Sequence, residues 1–423
     1  MIPRLLGVYF NGSRIGTLAE ASDLSFVYSM EWLANPQATP ISIRMPLQED
    51  PYRGPIVSNY LQNLLPDSQD QLDRLRRRVG AASSRPFDLL EILGRDCVGA
   101  LQFFPDGDDP AFDGTGREGL REDDVRSMIE SLAASPLAAD PEEDFRISIA
   151  GMQNKTTLIF ESGKWYRPRG AAPTTHILKP AITTLPWSVE NEWLCLRLCS
   201  ALGLATARAE ILAPGGLSVL CVERFDREKH DDGKIRRIPQ EDFCQALGFP
   251  PNKKYEADGG PGIAPIMDQL NASDRREGDR RDFVRAQIAY FLLAAIDGHA
   301  KNFSTHITPT GFKLTPLYDV MSVHHACRTK ALEWPKMKLA MAFGESPQYR
   351  LRDIAPRHIA QTFARCRIPQ AMMREIVNET LTIALTDDFP RSVPLPEGFP
   401  MELFDATIAG VKSQATLLRK HDW

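Results

Sequence analysis

The chain has 423 residues, 43% hydrophobic and 25% charged, the balance of a folded globular protein of two or three domains, which excludes wholesale disorder. Fifty Lys and Arg against 55 Asp and Glu leave a net charge of −5, which argues against a basic nucleic-acid coat but leaves room for a local basic patch. The longest apolar run, around Ile288–Ile296, is too short for a membrane span, and the Met-Ile-Pro-Arg start lacks a signal-peptide pattern, so export is not expected.

Leu6–Phe10 and Arg14–Leu18 flank Asn11-Gly12, a strong hairpin signal because both turn positions need positive φ. Further strand-like stretches follow at Leu24–Ser29 and Ile41–Met45, then helices at Val57–Leu65 and Asp70–Val79. The second helix carries Arg74, Arg76, Arg77 and Arg78, most simply a solvated face. Residues 105–144 read as a linker with a short helix at Glu122–Ala133, being rich in Asp, Gly and Pro. Strands are expected at Ile147–Ile149, Thr157–Phe160, Lys164–Tyr166 and Thr175–Leu178. A helix over Val189–Leu202 should stop at Gly203, and strands at Ala209–Leu212 and Leu217–Val222 come next. Beyond Pro239 the pattern turns helical, clearest at Asp282–Ile296, then at Ile354–Arg365, Gln370–Ala384 and Phe404–Leu418. The fold class read from this order is α+β, with a β-rich N-terminal lobe and an all-helical C-terminal lobe around a ligand cleft. The domains fall at 1–104, 105–144, 145–238 and 239–423.

Seven cysteines contain no CxxC pair, so structural zinc is disfavoured. Cys195 and Cys199 lie one helical turn apart and read as buried apolar residues, as suits a reducing cytoplasm. His324-His325 reads as loop, and Arg275, Arg276, Arg280 and Arg281, interleaved with acids, as a solvated helix start.

The chemistry gathers at Asp297-Gly-His-Ala-Lys-Asn302, delivered by the apolar helix before it. A carboxylate can orient a hydroxyl and take its proton while an amide oxygen five positions on holds Mg²⁺, the division of labour of a kinase catalytic loop. Alone, this spacing is also a common helix cap. Asp319, seventeen residues after Asn302, is where a second magnesium ligand belongs. Lys179, after a strand, is placed to meet phosphates. The turn Ala150-Gly-Met-Gln-Asn-Lys-Thr156 could cradle them with backbone N–H groups, although Ile149 and Asn154 stand where a Walker A loop needs glycine.

Seven stretches together resemble the HipA toxins, serine/threonine kinases of bacterial type II toxin–antitoxin modules. They are Arg146–Thr156, Ile177–Pro180, Glu190–Trp193, Val222–Arg227, Pro239–Gly248, Asp297–Asn302 and Tyr318-Asp319, in family order across nearly the whole chain. The resemblance implies a two-lobed, phosphoinositide-kinase-like fold using ATP and Mg²⁺, with Asp297 as base and Asn302 and Asp319 as metal ligands. It implies nucleotide contacts from the phosphate loop (Ala150, Gly151, Met152, Gln153, Asn154, Lys155), Lys179, the adenine hinge (Glu223, Arg224, Phe225), His299, Ala300, Lys301 and Tyr318. Glu192, or its neighbour Glu190, would pair with the lysine. It further implies inactivating autophosphorylation at Ser148, and a small helix-turn-helix, HipB-like antitoxin bound to operator DNA. The implied protein substrate is an aminoacyl-tRNA synthetase such as the glutamyl enzyme, with growth arrest as the consequence. A cytoplasmic location and no membrane partner complete the expectation. A small-molecule or lipid kinase of the same fold and an inactive antitoxin-bridging scaffold are the competing readings.

Overall fold

The computed structural model describes residues 3–108, 116–134, 155–389 and 393–423. The chain divides into two compact units, neither of them continuous: Met1–Thr183, Glu210–Asn252 and Ser304–Phe312 form one, and Thr184–Ala209, Lys253–Phe303 and Lys313–Trp423 the other.

The first unit opens on β1 (Arg4–Phe10) and β2 (Ser13–Glu20), joined through Asn11 and Gly12 at φ 47° and 85°, as a tight hairpin requires. With β3 (Leu24–Tyr28), β4 (Tyr52–Arg53) and β5 (Leu101–Pro105) they make an antiparallel sheet ordered β4-β3-β2-β1-β5. Alternate residues Leu6, Val8 and Phe10 of β1 enter a core shared with Phe26, Leu90 and Phe103. Four helices accompany this sheet: α1 (Met30–Leu33), α2 (Pro55–Gln62), α3 (Gln69–Val79) and α4 (Pro86–Leu93). Ile41–Met45 is not a strand. Ile41 and Met45 are buried, but the Tyr28 hydroxyl accepts from Ile41 N (2.9 Å) and donates to Met45 O (2.6 Å), folding the segment into a turn.

A second sheet uses β6 (Arg117–Leu120), β7 (Thr156–Glu161), β8 (Lys164–Pro168), β9 (His176–Pro180), β10 (Ala209–Leu212) and β11 (Val219–Glu223), in the order β10-β11-β9-β7-β8-β6. The stretch read as a linker therefore contains an edge strand, β6. Its helix α5 (Glu122–Ala134) buries Val125, Ile129 and Leu132 against Leu158, Leu178, Val219 and Cys221 of the sheet. Between β9 and β10 the chain leaves this unit for α6 (Ser188–Ala201), which belongs to the other. The hairpin β12 (Arg227–Lys229) and β13 (Ile235–Arg237) follows, then β14 (Gln240–Asp242), α7 (Phe243–Leu247) and β15 (Ser304–Ile307), which pairs with β14.

An ionic cluster inside this unit joins its early and late segments. Asp96 receives Arg227 and Arg237 (both 2.8 Å) on one oxygen and Thr174 Oγ1 (2.7 Å) and Arg224 (3.3 Å) on the other. Asp226 accepts from Gly99 N (2.7 Å) and from Arg224 (2.7 and 2.9 Å). Burial alone would raise the Asp96 carboxyl, but the three guanidinium groups hold it well below the carboxylate range. Burial and the neighbouring Arg224 pull Arg227 down to about 10.

The second unit packs α9 (Arg276–Leu293) against α12 (Gln370–Leu385) and α13 (Met401–Arg419), with α8 (Ile263–Gln269), α10 (His324–Arg328) and α11 (Pro356–Arg365) around them. It is not all helical. After β16 (Phe312–Leu314), β17 (Lys338–Phe343) and β18 (Gln348–Arg350) form a hairpin, because the apolar run Leu339–Phe343 is of strand length and ends at Gly344 with φ 100°. Arg280 is not solvated either. It is buried and donates to the carbonyls of Met267 (2.8 Å) and Cys366 (2.7 Å), while Arg281 reaches Glu375 and Glu379. His324 and His325 start helix α10 rather than a loop, and His324 Nε2 lies 2.9 Å from Leu292 O. Cys195 and Cys199 are buried free thiols on α6, as expected. Among the described residues no helix is long and apolar enough to cross a membrane.

Candidate active site

Helix α9 ends at Ala294, a non-glycine residue held left-handed at φ 49°, with its N–H on Phe291 O and that of Ala295 on Tyr290 O. This stop releases Asp297–Asn302 from the helix. Gly298 then lies so close to the Tyr290 ring that a Cβ would sit 2.4 Å from Cδ1 and Cε1. Tyr290 is itself buried against Phe303, with ring centroids 5.4 Å apart, so it leaves no room for a side chain at that position.

The hexapeptide is closed by its own asparagine. Asn302 Nδ2 donates to Asp297 O (2.6 Å), and its amide oxygen Oδ1 has no hydrogen bond among the described residues. Asn302, His299 and Lys301 are buried, whereas the Asp297 side chain is 49% exposed. His299 Nε2 stands 3.8 Å from Asp297 Oδ1, too far for a hydrogen bond. The Tyr255 hydroxyl makes the close contact, donating to Oδ1 at 2.5 Å.

Asp319 is held in the same unit by a chain of backbone anchors. Leu317 N donates to Ala205 O (2.9 Å), and Leu317 O accepts from Ala207 N (2.8 Å). Tyr318 OH donates to Lys301 O (2.7 Å), tying this segment directly to the hexapeptide. Beyond Asp319 the buried Asn191 side chain grips Ser322 twice, donating to its carbonyl (2.8 Å) and accepting from its N–H (2.9 Å). Between these anchors Asp319 adopts φ 60°, a left-handed backbone that costs a non-glycine residue on the order of 1–3 kcal/mol and persists only where neighbours over-determine it. Asp297, His299, Ala300, Lys301, Asn302, Tyr318 and Asp319 are thus gathered in one unit. Glu192, on α6, is buried in that unit as well, while Glu190 is half-buried.

The other expected nucleotide residues belong to the first unit. Lys179 is buried on β9 opposite Leu220. Glu223 ends β11 opposite His176, and Phe225 meets His306 edge to face with ring centroids 5.8 Å apart. Arg224 serves the fold: its guanidinium lies in the ionic cluster and its N–H donates to Thr175 O (2.8 Å). Of the polar groups expected to meet adenine at Arg224, the carbonyl alone is outside these bonds. Lys155 stands just before β7, whereas Ala150, Gly151, Met152, Gln153, Asn154 and Ser148 lie outside the described residues.

The donor set suits a hard cation. The amide oxygen of Asn302 and the carboxylate of Asp319 are oxygen ligands of the kind Mg²⁺ takes together with phosphates and water. Among the described residues no group of three or more His, Cys, Asp or Glu side chains could form a closed metal cage.

Residues 147–386 match the model of the HipA-like C-terminal domain, and residues 6–104 that of the HipA N-terminal domain. The chain belongs to the HipA family. It is 34% identical over 82% of its length, and 82% of the relative's, to "Putative kinase Y4mE" of Sinorhizobium fredii. It is 30% identical over 72% of its length, and 71% of the relative's, to the serine/threonine-protein kinase toxin HipA of Shewanella oneidensis. The fold matches a chain in the complex of Shewanella oneidensis HipA, HipB and operator DNA with a TM-score of 0.82, covering 99% of this chain and 100% of that one at 23% identity. As a HipA-family member this chain is a serine/threonine kinase. Sequence reasoning alone did not find Tyr255, Asn191 or Asp96, whose partners are far away in the chain.

Proposed function

We propose that this HipA-family kinase transfers the γ-phosphoryl group of ATP to a serine or threonine of another protein. The observation that carries the reading is the closed loop Asp297–Asn302 tied to the Asp319 segment through Tyr318 and Lys301. In this reading the half-exposed Asp297 accepts the hydrogen bond of the incoming hydroxyl and takes its proton as the new P–O bond forms and the bond from the γ-phosphorus to the β,γ-bridging oxygen breaks, with ADP as the leaving group. Asn302 and Asp319 would hold Mg²⁺, which when bound neutralises phosphate charge. Lys179, Lys155 and the turn Ala150–Asn154 would bind the phosphates, with Glu223–Phe225 beside the base. Catalysis is then positioning and charge compensation.

The wider role follows from family membership. The Shewanella relative was solved with HipB and operator DNA. We extend to this chain a small DNA-binding antitoxin as partner, an aminoacyl-tRNA synthetase as substrate, growth arrest, autophosphorylation at Ser148 and a cytoplasmic location.

The test is transfer from γ-labelled ATP with Mg²⁺ to a serine-rich acceptor such as casein and to the chain itself. Asp297→Asn should lower turnover by roughly 10²–10⁴-fold, the contribution of a positioned base, while nucleotide binding persists. Near-wild-type transfer by this variant would overturn the assignment.

A further inference from the structure

We infer that Tyr255 is the positioning residue of the base: its phenol fixes the Asp297 carboxylate for the incoming hydroxyl. This rests on Asp297 being the base. Among the described residues the Tyr255 hydroxyl makes the one side-chain hydrogen bond to that carboxylate, at 2.5 Å from Oδ1. With Oδ1 occupied, Oδ2 remains for the substrate.

The phenol is aimed by a rigid frame. Its ring stands edge-on to His299, with centroids 5.0 Å apart and an 85° interplanar angle, so the tyrosine packs on the loop it serves. On one side of it Lys254 O accepts from Ala300 N (3.3 Å), pinning the same loop through the backbone. On the other, Glu256 Oε2 accepts from Ala342 N (2.6 Å), which ties the segment to strand β17. The carbonyl of Tyr255 accepts from Asp258 N (3.1 Å) and Gly260 N (3.0 Å). A Cβ on Gly260 would lie 1.9 Å from Lys253 O, and one on Gly262 2.3 Å from the Glu256 carboxylate. The Lys253–Gly260 backbone therefore closes on itself too tightly to carry a side chain at Gly260. A half-exposed aspartate on a loop has free χ rotation, and the phenol removes it. Misplacement of a reacting group by about 1 Å can cost on the order of 10²-fold in rate.

The experiment compares wild type, Tyr255→Phe, Tyr255→Ala and Asp297→Asn for transfer from γ-labelled ATP to casein, with kcat and the KM for MgATP measured separately. Tyr255→Phe keeps the ring on His299 and removes only the hydroxyl. It should lower kcat by roughly 10–100-fold with KM for MgATP within about twofold and thermal stability unchanged. Full activity in Tyr255→Phe with loss only in Tyr255→Ala would reduce the residue to packing and overturn the inference. A raised kcat in Tyr255→Phe would make the phenol a plug in the nucleophile's place and overturn it equally. If Asp297→Asn is inactive while Tyr255→Phe is wild type, only the tyrosine inference fails; if Asp297→Asn is fully active, the underlying reading of the base fails first.

Discussion

Gly298 shows how a single side-chain hydrogen sets the site. It lies against the buried Tyr290 ring, and no Cβ fits between. Gly298→Ala should displace the loop, because Tyr290 is 3% exposed and cannot yield. Overpacking of this kind costs about 1–3 kcal/mol in stability. The larger effect should be on chemistry, with kcat reduced on the order of 10²-fold. Denaturant melts and kcat on the same preparations separate the two, and an unchanged kcat would show that the loop tolerates the shift. The residues that announce themselves in the sequence are those close together along it: Asp297, Asn302 and Asp319 share a recognisable spacing. Tyr255 does not, because it meets Asp297 from 42 positions away and nothing local distinguishes its phenol from any other. Arg224 carries the opposite lesson. Its motif is visible, but the buried partner that gives the side chain its work, Asp96, is 128 residues distant.

Elements were legible where local chemistry dictates them. Asn11-Gly12 and Ser162-Gly163 mark their hairpins because each pair adopts positive φ, and α6 stops at Gly203 for the same reason. The strand β17 and the turn at Ile41–Met45 were not, since short apolar runs fit strand, helix or buried turn until tertiary partners decide. One such partner joins two functional elements. Asn191 on α6, next to Glu192, holds both backbone groups of the buried Ser322, three residues past Asp319. Asn191→Ala strands a buried N–H and a buried C=O, each worth about 1–3 kcal/mol unsatisfied, so stability should fall by about 2–6 kcal/mol. Released from α6, the Asp319 segment should also relax from its left-handed backbone. Thermal stabilisation by ATP with Mg²⁺ should then shrink more than stabilisation by ATP alone. Equal loss of both would mean that the clamp supports the fold without setting Asp319.

At the scale of the whole molecule, the family stretch Pro239–Gly248 contributes stability rather than chemistry. Asp242 caps α7 in a capping box with Gln245, whose amide reaches Tyr60 O at 3.2 Å. Glu241, fully buried, accepts from Ile43 N at 2.7 Å with Oε1, while Oε2 has no hydrogen bond among the described residues. Burial pushes its carboxyl up to about 8; the Ile43 N–H and the Ser42 hydroxyl oppose the rise and Asp242 adds to it. The other ionisable groups that interact with it are the phenols of Tyr28 and Tyr60, both raised by burial and neutral near pH 7. The folded protein therefore keeps a proton that the unfolded chain releases near its ordinary value of 4.5. This stabilisation is complete below about pH 4.5 and is lost as pH rises to about 8. Across that window Glu241 should take up to about 1.4 kcal/mol of stability per pH unit. The half-buried His176 and the buried His324, both lowered by burial, act in the opposite direction up to about pH 6.5, so the wild-type curve alone mixes the two. The difference between wild type and Glu241→Gln isolates the carboxyl. Denaturant unfolding at pH 5, 6.5 and 8 should show the glutamine variant gaining on wild type at each step, and parallel curves would mean that Glu241 titrates no differently in the folded and unfolded chain.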